Sequence, residues 1–258
     1  MKKNVIIVMV ALIVVAAFIV NFFPFGNEKT KEIEIDDEAF TGVEIETENT
    51  KIEILPTDAD FAKAVLSGDK SNKYKLDANV KGDTLQIVLD DRWFQFISFD
   101  FTFSTPLLTV YLPEKEYEIV QVETDNGTIQ ADQLEAKEVS AESNNGKIEL
   151  KNIKSEWLDI NVDNGQVLLE NVEGEINGKS DNGKITLITE SLDRDIALKT
   201  DNGEINIQTE KEPTNATIDI KVDNGRVSVF GDSLYDTIIG DGEHVIELKA
   251  DNGYIEIK

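Results

Sequence analysis

One tripeptide constrains this chain more than any other feature. Asp125-Asn126-Gly127 recurs as Asn144-Asn145-Gly146, Asp163-Asn164-Gly165, Asp181-Asn182-Gly183, Asp201-Asn202-Gly203, Asp223-Asn224-Gly225 and Asp251-Asn252-Gly253. The glycines are 19, 19, 18, 20, 22 and 28 residues apart. Self-similarity at a short, nearly fixed period is the mark of stacked units that bury their apolar faces against one another.

Around each Gly the pattern is the same. Apolar or small residues stand seven, five and three positions before it (Leu158, Ile160 and Val162 for Gly165) and two and four after it (Val167 and Leu169). Both runs alternate with period two, as strands with one buried face do. The step from three before to two after is odd, so a straight strand would turn its apolar face outward across it. The parity break therefore marks a corner. Asn and Gly take left-handed backbone most readily and Asp bonds its own downstream amides, so the Asp-Asn-Gly triplets are expected to turn the chain in that conformation. Asn-Gly between alternating runs also signals a hairpin, but one kind of corner, once per coil, suits stacked coils better than a meander.

The expectation is an all-β, single-domain β-solenoid, parallel β-helix-like, with coils of about 19 residues stacked about 4.8 Å apart. The register extends backward to two degenerate coils. One has Glu48-Asn49-Thr50 at the corner with Thr50 in the Gly position, and the other has Lys81-Gly82-Asp83. The organisation predicted is a cytoplasmic tip and transmembrane anchor over 1–26, a juxtamembrane segment over 27–42, and the solenoid over 43–258 with an aromatic insertion at 88–106.

The anchor follows from Val5 to Val20, an uncharged apolar run, resumed in Phe22, Phe23 and Phe25 after Asn21. At 1.5 Å per residue Val5 to Phe25 reaches roughly 30 Å, the thickness of the hydrocarbon core. No small-residue cleavage pattern follows it, which favours a retained span over a removed signal. Lys2 and Lys3 precede the span, so the N-terminus is expected in the cytoplasm and the rest outside, as a single-pass protein of the cell membrane.

Charge narrows the partners. The chain has 25 Lys plus Arg against 51 Asp plus Glu, a net charge of −26, and such a surface repels the phosphate backbone of nucleic acid. It suits cationic ligands, or membrane and envelope proteins with basic faces. There is no Cys and one His, His244, which removes thiolate chemistry and multi-His metal sites. His244 reads as a surface loop residue.

These repeats resemble the bacterial putative-adhesin family of Asp-Asn-Gly strand-repeat domains of unknown function, which includes LiaG-like membrane proteins of Gram-positive envelopes. The resemblance covers the chain from about Val43 onward, and the single N-terminal anchor is similar too. It implies a membrane-tethered β-solenoid of the envelope, non-catalytic, acting in binding, adhesion or envelope stress, with no enzymatic residues to carry over.

Three candidate features remain, and no catalytic residue or resident cofactor is expected among them. The first is the corner column Asp125, Asp163, Asp181, Asp201, Asp223 and Asp251. Unit charges 4.8 Å apart repel by about 0.9 kcal/mol even in water, and Ca²⁺ would relieve that repulsion. Against this, Asp and Asn serve as turn formers, and stacked Asn side chains form hydrogen-bonded ladders. The second is Trp93, Phe94, Phe96, Phe99, Phe101 and Phe103, which would cap the solenoid or touch a partner or the bilayer. The third is a polysaccharide-acting enzyme using surface carboxylates, although solvated acidic faces account for scattered Asp and Glu without chemistry. Thermal unfolding of residues 27–258 in Ca²⁺, Mg²⁺ and EDTA at matched ionic strength separates turn chemistry from metal binding. Turn formers leave the melting temperature unmoved by Ca²⁺ in particular, whereas occupied sites raise it by mass action.

Overall fold

The structure is a computed structural model that describes residues 30–37, 39–68, 74–90, 105–233 and 236–258. Among these every regular element is a strand. In chain order they are β1 (Lys31–Ile35), β2 (Gly42–Thr47), β3 (Lys51–Thr57), β4 (Ala62–Ser67), β5 (Lys75–Lys81), β6 (Thr84–Asp90) and β7 (Leu107–Pro113). The long repeats follow as β8 (Tyr117–Asp132), β9 (Ala136–Ile153), β10 (Trp157–Val172), β11 (Glu175–Thr189), β12 (Ile196–Thr209) and β13 (Ala216–Val229), then β14 (Asp236–Ile239) and β15 (His244–Ile257). All fifteen belong to one sheet. The apolar run Val5–Phe25 lies outside the described residues, within which no helix is long and apolar enough to cross a membrane.

Each long strand is two arms of one coil, with the Asp-Asn-Gly triplet between them. Alternation buries Leu158, Ile160 and Val162 from one arm of β10 and Val167 and Leu169 from the other. Parallel pairing runs through the corner without a slip, so Gly165 lies opposite Gly146 of β9 and Gly183 of β11. One inward column thus continues through the whole stack, as Ile129, Ile148, Val167, Ile185 and Ile205 show. Register of this kind holds because a one-residue slip would turn every buried side chain outward.

The corner differs from the expectation in its backbone. None of its Asn residues has a positive φ, and Gly165 and Gly225, at 158° and 159°, are close to fully extended. Left-handed residues lie instead where the second arm ends, at Gln133 (φ 58°), Asn152 (φ 51°) and Asn171 (φ 53°). The glycines are required for another reason. A Cβ on Gly146, Gly165, Gly183, Gly203, Gly253 or Gly225 would sit 1.7–1.8 Å from the carbonyl oxygen of the glycine in the adjacent coil, and one on Gly127 would sit 2.0 Å from that of Thr50. Successive coils touch backbone to backbone at this edge, and only a residue without a side chain allows it.

The first coil is β2 and β3, with Glu48-Asn49-Thr50 at its corner, and it stacks on β8 through Thr47 opposite Thr124 and Lys51 opposite Thr128. Thr50 replaces Gly at the first corner of the column, beyond which no further corner glycine stands among the described residues. The second degenerate coil is a correction: Lys81-Gly82-Asp83 is the turn of the antiparallel hairpin β5–β6, with Gly82 at φ 66°. The outer coil at this end is formed by β6, which pairs with β2, and β7, which pairs with β3. Residues 91–104, which lie between β6 and β7 in sequence, are outside the described residues. Antiparallel β5, β4 and β1 then flank these outer arms.

Coil order also departs from sequence order. β15 lies between β12 and β13, so the coil sequence ends β12, β15, β13 and then antiparallel β14. Loops hold the exchange in place. Asn215 Oδ1 accepts the amides of Asp241 and Glu243 at 3.1 Å each, Asp195 Oδ1 accepts that of Val245 at 2.9 Å, and Asp193 Oδ1 accepts those of Thr214 and Asn215 at 2.7 and 3.0 Å. Those bonds from Asn215 and Thr214 hold the Asp193 carboxyl below the ordinary range. The first coil mirrors the exchange, since β2 and β3 lie between β8 and the later β6 and β7.

Gly183→Ala is expected to destabilise the fold by about 3 kcal/mol, because the added methyl meets a backbone oxygen that no rotamer change can move. Gly42→Ala meets no backbone atom, its closest contact being the Thr84 hydroxyl at 2.9 Å with Ile119 Cγ2 and Thr84 Cβ at 3.5 Å, and is expected to cost about 1 kcal/mol. Urea unfolding of both variants checks the difference; equal losses would remove the corner-contact explanation.

Candidate functional site

The corner edge carries a ladder of asparagines. Each Nδ2 donates to the Oδ1 of the adjacent coil: Asn126 to Asn49 at 3.0 Å, Asn145 to Asn126 at 3.0 Å, Asn164 to Asn145 at 3.1 Å and Asn182 to Asn164 at 3.0 Å. It continues from Asn202 to Asn182 at 3.0 Å, from Asn252 to Asn202 at 3.0 Å and from Asn224 to Asn252 at 3.2 Å. Coil stacking brings these side chains to hydrogen-bond spacing, and each primary amide has both a donor and an acceptor to offer. A shorter ladder that the sequence analysis missed runs along the left-handed corner, from Asn171 to Asn152 at 2.7 Å and from Asn152 to Asp132 at 2.8 Å. Its signal was the recurrence of Asn one coil apart, six residues after the Gly.

The six corner aspartates stack beside the asparagines, but their surroundings divide them. Four face a lysine two residues earlier: Lys179 to Asp181 at 2.8 Å, Lys199 to Asp201 at 3.0 Å, Lys249 to Asp251 at 3.4 Å and Lys221 to Asp223 at 3.9 Å. The Lys199 ammonium holds the Asp201 carboxyl below its usual range. Asp125 accepts from the Asn144 amide at 2.8 Å, and Asn161 stands in the lysine position before Asp163. Among the described residues no cluster of three or more His, Asp or Glu side chains is placed to hold a metal ion.

The lysines belong to a column that changes sign along the stack. Its members in spatial order are Glu46, Glu123, Glu142, Asn161, Lys179, Lys199, Lys249 and Lys221, each opposite the next in register. They face outward from the first arm. At the acidic end, desolvation and then the charges of Glu142, Glu46, Asp125 and Glu44 push the Glu123 carboxyl above the ordinary range.

A concavity of about 460 Å³ lies where the chain leaves the first coil for β4, lined by Ile54, Leu112 and Leu134 together with Lys115 and Lys154. Lys115 is engaged within the fold: its ammonium donates to the Phe40 carbonyl at 2.7 Å and lies 4.3 Å from the Phe40 ring centre and 5.2 Å from that of Tyr117. The Tyr117 hydroxyl donates to the Pro113 carbonyl at 2.8 Å, and burial raises its pKa far beyond use as an acid near neutral pH. Glu123 is not among the residues of this cavity, so the lifted carboxyl and the concavity do not form one site.

Trp93, Phe94, Phe96, Phe99, Phe101 and Phe103 lie outside the described residues. His244 is the first residue of β15, with Nδ1 3.8 Å from Asp195 Oδ1, and so has the neighbour that the sequence did not reveal.

A group whose folded pKa is raised binds more protons in the native state than in the unfolded one, so stability falls as pH rises through that pKa. Glu123→Gln is therefore expected to melt above the parent at neutral pH, and the gap to close in acid below the ordinary glutamate range. Melting curves at the two pH values check this, and a variant that melts lower at neutral pH would show that Glu123 is not electrostatically strained.

A model of the family described as Toastrack DUF4097 matches residues 40–158 and again residues 118–258. None of the curated proteins matches the chain. Among solved structures, a "putative adhesin" from Bacteroides fragilis NCTC 9343 is 13% identical, with 89% of this chain and 97% of that one covered at a TM-score of 0.50. A "putative cell adhesion protein" from Clostridium sporogenes ATCC 15579 is 15% identical, with 90% and 99% covered at a TM-score of 0.43. A "putative lipid binding protein" from Parabacteroides distasonis ATCC 8503 is also 15% identical, with 91% and 98% covered at 0.45. At these identities the Bacteroides likeness concerns the fold alone. With the family pattern spanning the coils from the first to the last, the chain belongs to the Toastrack DUF4097 family.

Proposed function

We propose that this chain is a membrane-anchored, extracytoplasmic β-solenoid that acts without catalysis, binding cationic partners through the outer face of its first arms. The observation that carries this reading is the stacking of Glu46, Glu123 and Glu142 in register on one outward face, where burial and then the charges of Glu142 and Glu46 raise the Glu123 carboxyl above its ordinary range. A basic segment laid along the column would relieve that repulsion and meet acceptors at one-coil intervals. The net charge of −28 from residue 27 onward, from 23 basic and 51 acidic side chains, favours the same partners.

Anchoring rests on the apolar run Val5–Phe25 and the lysines before it. The adhesin and cell-adhesion names of the similar structures agree with a surface that binds, and the LiaG-like arrangement with a role in the envelope or its stress response. In this reading the aromatic insertion, joining β6 to β7, is a second contact for a membrane or protein partner.

Binding of a decalysine peptide to the full chain in detergent micelles tests the proposal. Decalysine is expected to bind with strong salt dependence, and the triple variant Glu46→Gln, Glu123→Gln, Glu142→Gln to bind about tenfold more weakly. Unchanged affinity in the triple variant would move the site elsewhere, and tighter binding of polyphosphate than of decalysine would overturn the cationic-partner reading.

A further inference from the structure

The Asn-Gly dipeptide has a chemistry of its own. The glycine amide nitrogen can attack the preceding Asn Cγ, forming a C–N bond to close a five-membered imide while the Cγ–Nδ2 bond breaks and ammonia leaves with the amide proton. Water then adds to either imide carbonyl and leaves aspartate or isoaspartate. Neither step needs an oxidant, reductant or enzyme. Each of the seven corners contains this pair, and the ladder places them in unequal circumstances.

An interior asparagine is held at both ends of its amide. Asn164 donates to Asn145 at 3.1 Å and accepts from Asn182 at 3.0 Å, and its strand is paired on both sides. Imide closure there requires the amide to swing out of two hydrogen bonds and the backbone to leave the extended conformation against two neighbours. At the end of the stack these restraints are halved. Asn224 donates to Asn252 at 3.2 Å, the longest contact in the ladder, and no described residue donates to its Oδ1. β14 covers β13 only from Ala216 to Asp219, and the next outer contact among the described residues is the bridge from Val229 to Asp232. Gly225 is exposed, whereas the other six corner glycines are half-buried.

The opposite end is protected by sequence. Asn49 is followed by Thr50, whose branched side chain shields the amide nitrogen that would attack. An eighth Asn-Gly pair, Asn177-Gly178, lies inside a strand flanked on both sides, with a buried Gly and the amide bonded to Asp159 at 2.5 Å.

We propose that Asn224 is a site of spontaneous deamidation, modified ahead of the other corner asparagines, and that the reaction then spreads inward along the ladder. The carboxylate formed at position 224 cannot donate to Asn252 and joins the charges of Asp223 and Asp251. The end coil loosens, and Asn252 becomes the exposed member. The order of modification is thus 224, 252, 202, following the stack and not the chain.

The test is peptide mapping by mass spectrometry of the full chain in detergent micelles, incubated at mildly alkaline pH, with isoaspartate scored by fragmentation. Position 224 is expected to react about tenfold faster than Asn126, Asn145, Asn164 and Asn182, since local opening is easiest at the stack end. Equal rates at the seven corners, or an interior site leading, would overturn the proposal. In Asn224→Asp, with its β-rich spectrum retained, Asn252 is expected to react several-fold faster than in the parent; an unchanged rate in that folded variant would overturn the inward spread.

Discussion

Close backbone contact at one corner sets the geometry of the whole molecule. Because each corner glycine meets the carbonyl of the adjacent coil where a methyl would otherwise sit, consecutive coils are locked in position along the strand and their inward columns superimpose. The same spacing aligns the asparagine amides into a continuous ladder. Burial of Ile, Leu and Val columns supplies the driving force, but the glycine column decides the register in which that burial happens.

Stacking also turns a linear charge pattern into a surface. Residues about one coil apart in sequence become neighbours, so an acidic stretch and a basic stretch emerge as the two halves of a single outward column, from Glu46 to Lys221. In the lysine half each cation faces a corner aspartate of its own coil, which gives those aspartates a structural partner. The glutamate half lacks that compensation, and it holds the lifted carboxyl of Glu123. A positive group from outside would relieve the repulsion in this half, which is the face proposed above for binding.

Much of the fold was legible because period-two alternation and a recurring corner are local signals. The buried positions around Gly165, the asparagine stacking and the use of Thr50 at a degenerate corner all follow from that register. The glycine's actual role did not, since conformational freedom and close approach call for the same residue and only the neighbouring coil distinguishes them. Lys81-Gly82-Asp83 misled because a hairpin turn and a solenoid corner share their composition. The exchange of β13 and β15 was hidden because parallel stacking is nearly indifferent to which of two similar repeats comes first; the longer spacings before Gly225 and Gly253 were its only trace.

That exchange has a consequence for how the molecule is made. A simple solenoid can add each coil as it leaves the ribosome or the translocation channel, with every new coil finding its platform already built. Here β13 emerges before β15 and finds its platform missing, because the coil it must rest on is encoded after it. A stack grown in chain order would therefore stay open beyond β12 until β15 is made and enters between β12 and β13. A chain interrupted before His244 would leave β12 and β13 each without β15, the strand that pairs with both along their length.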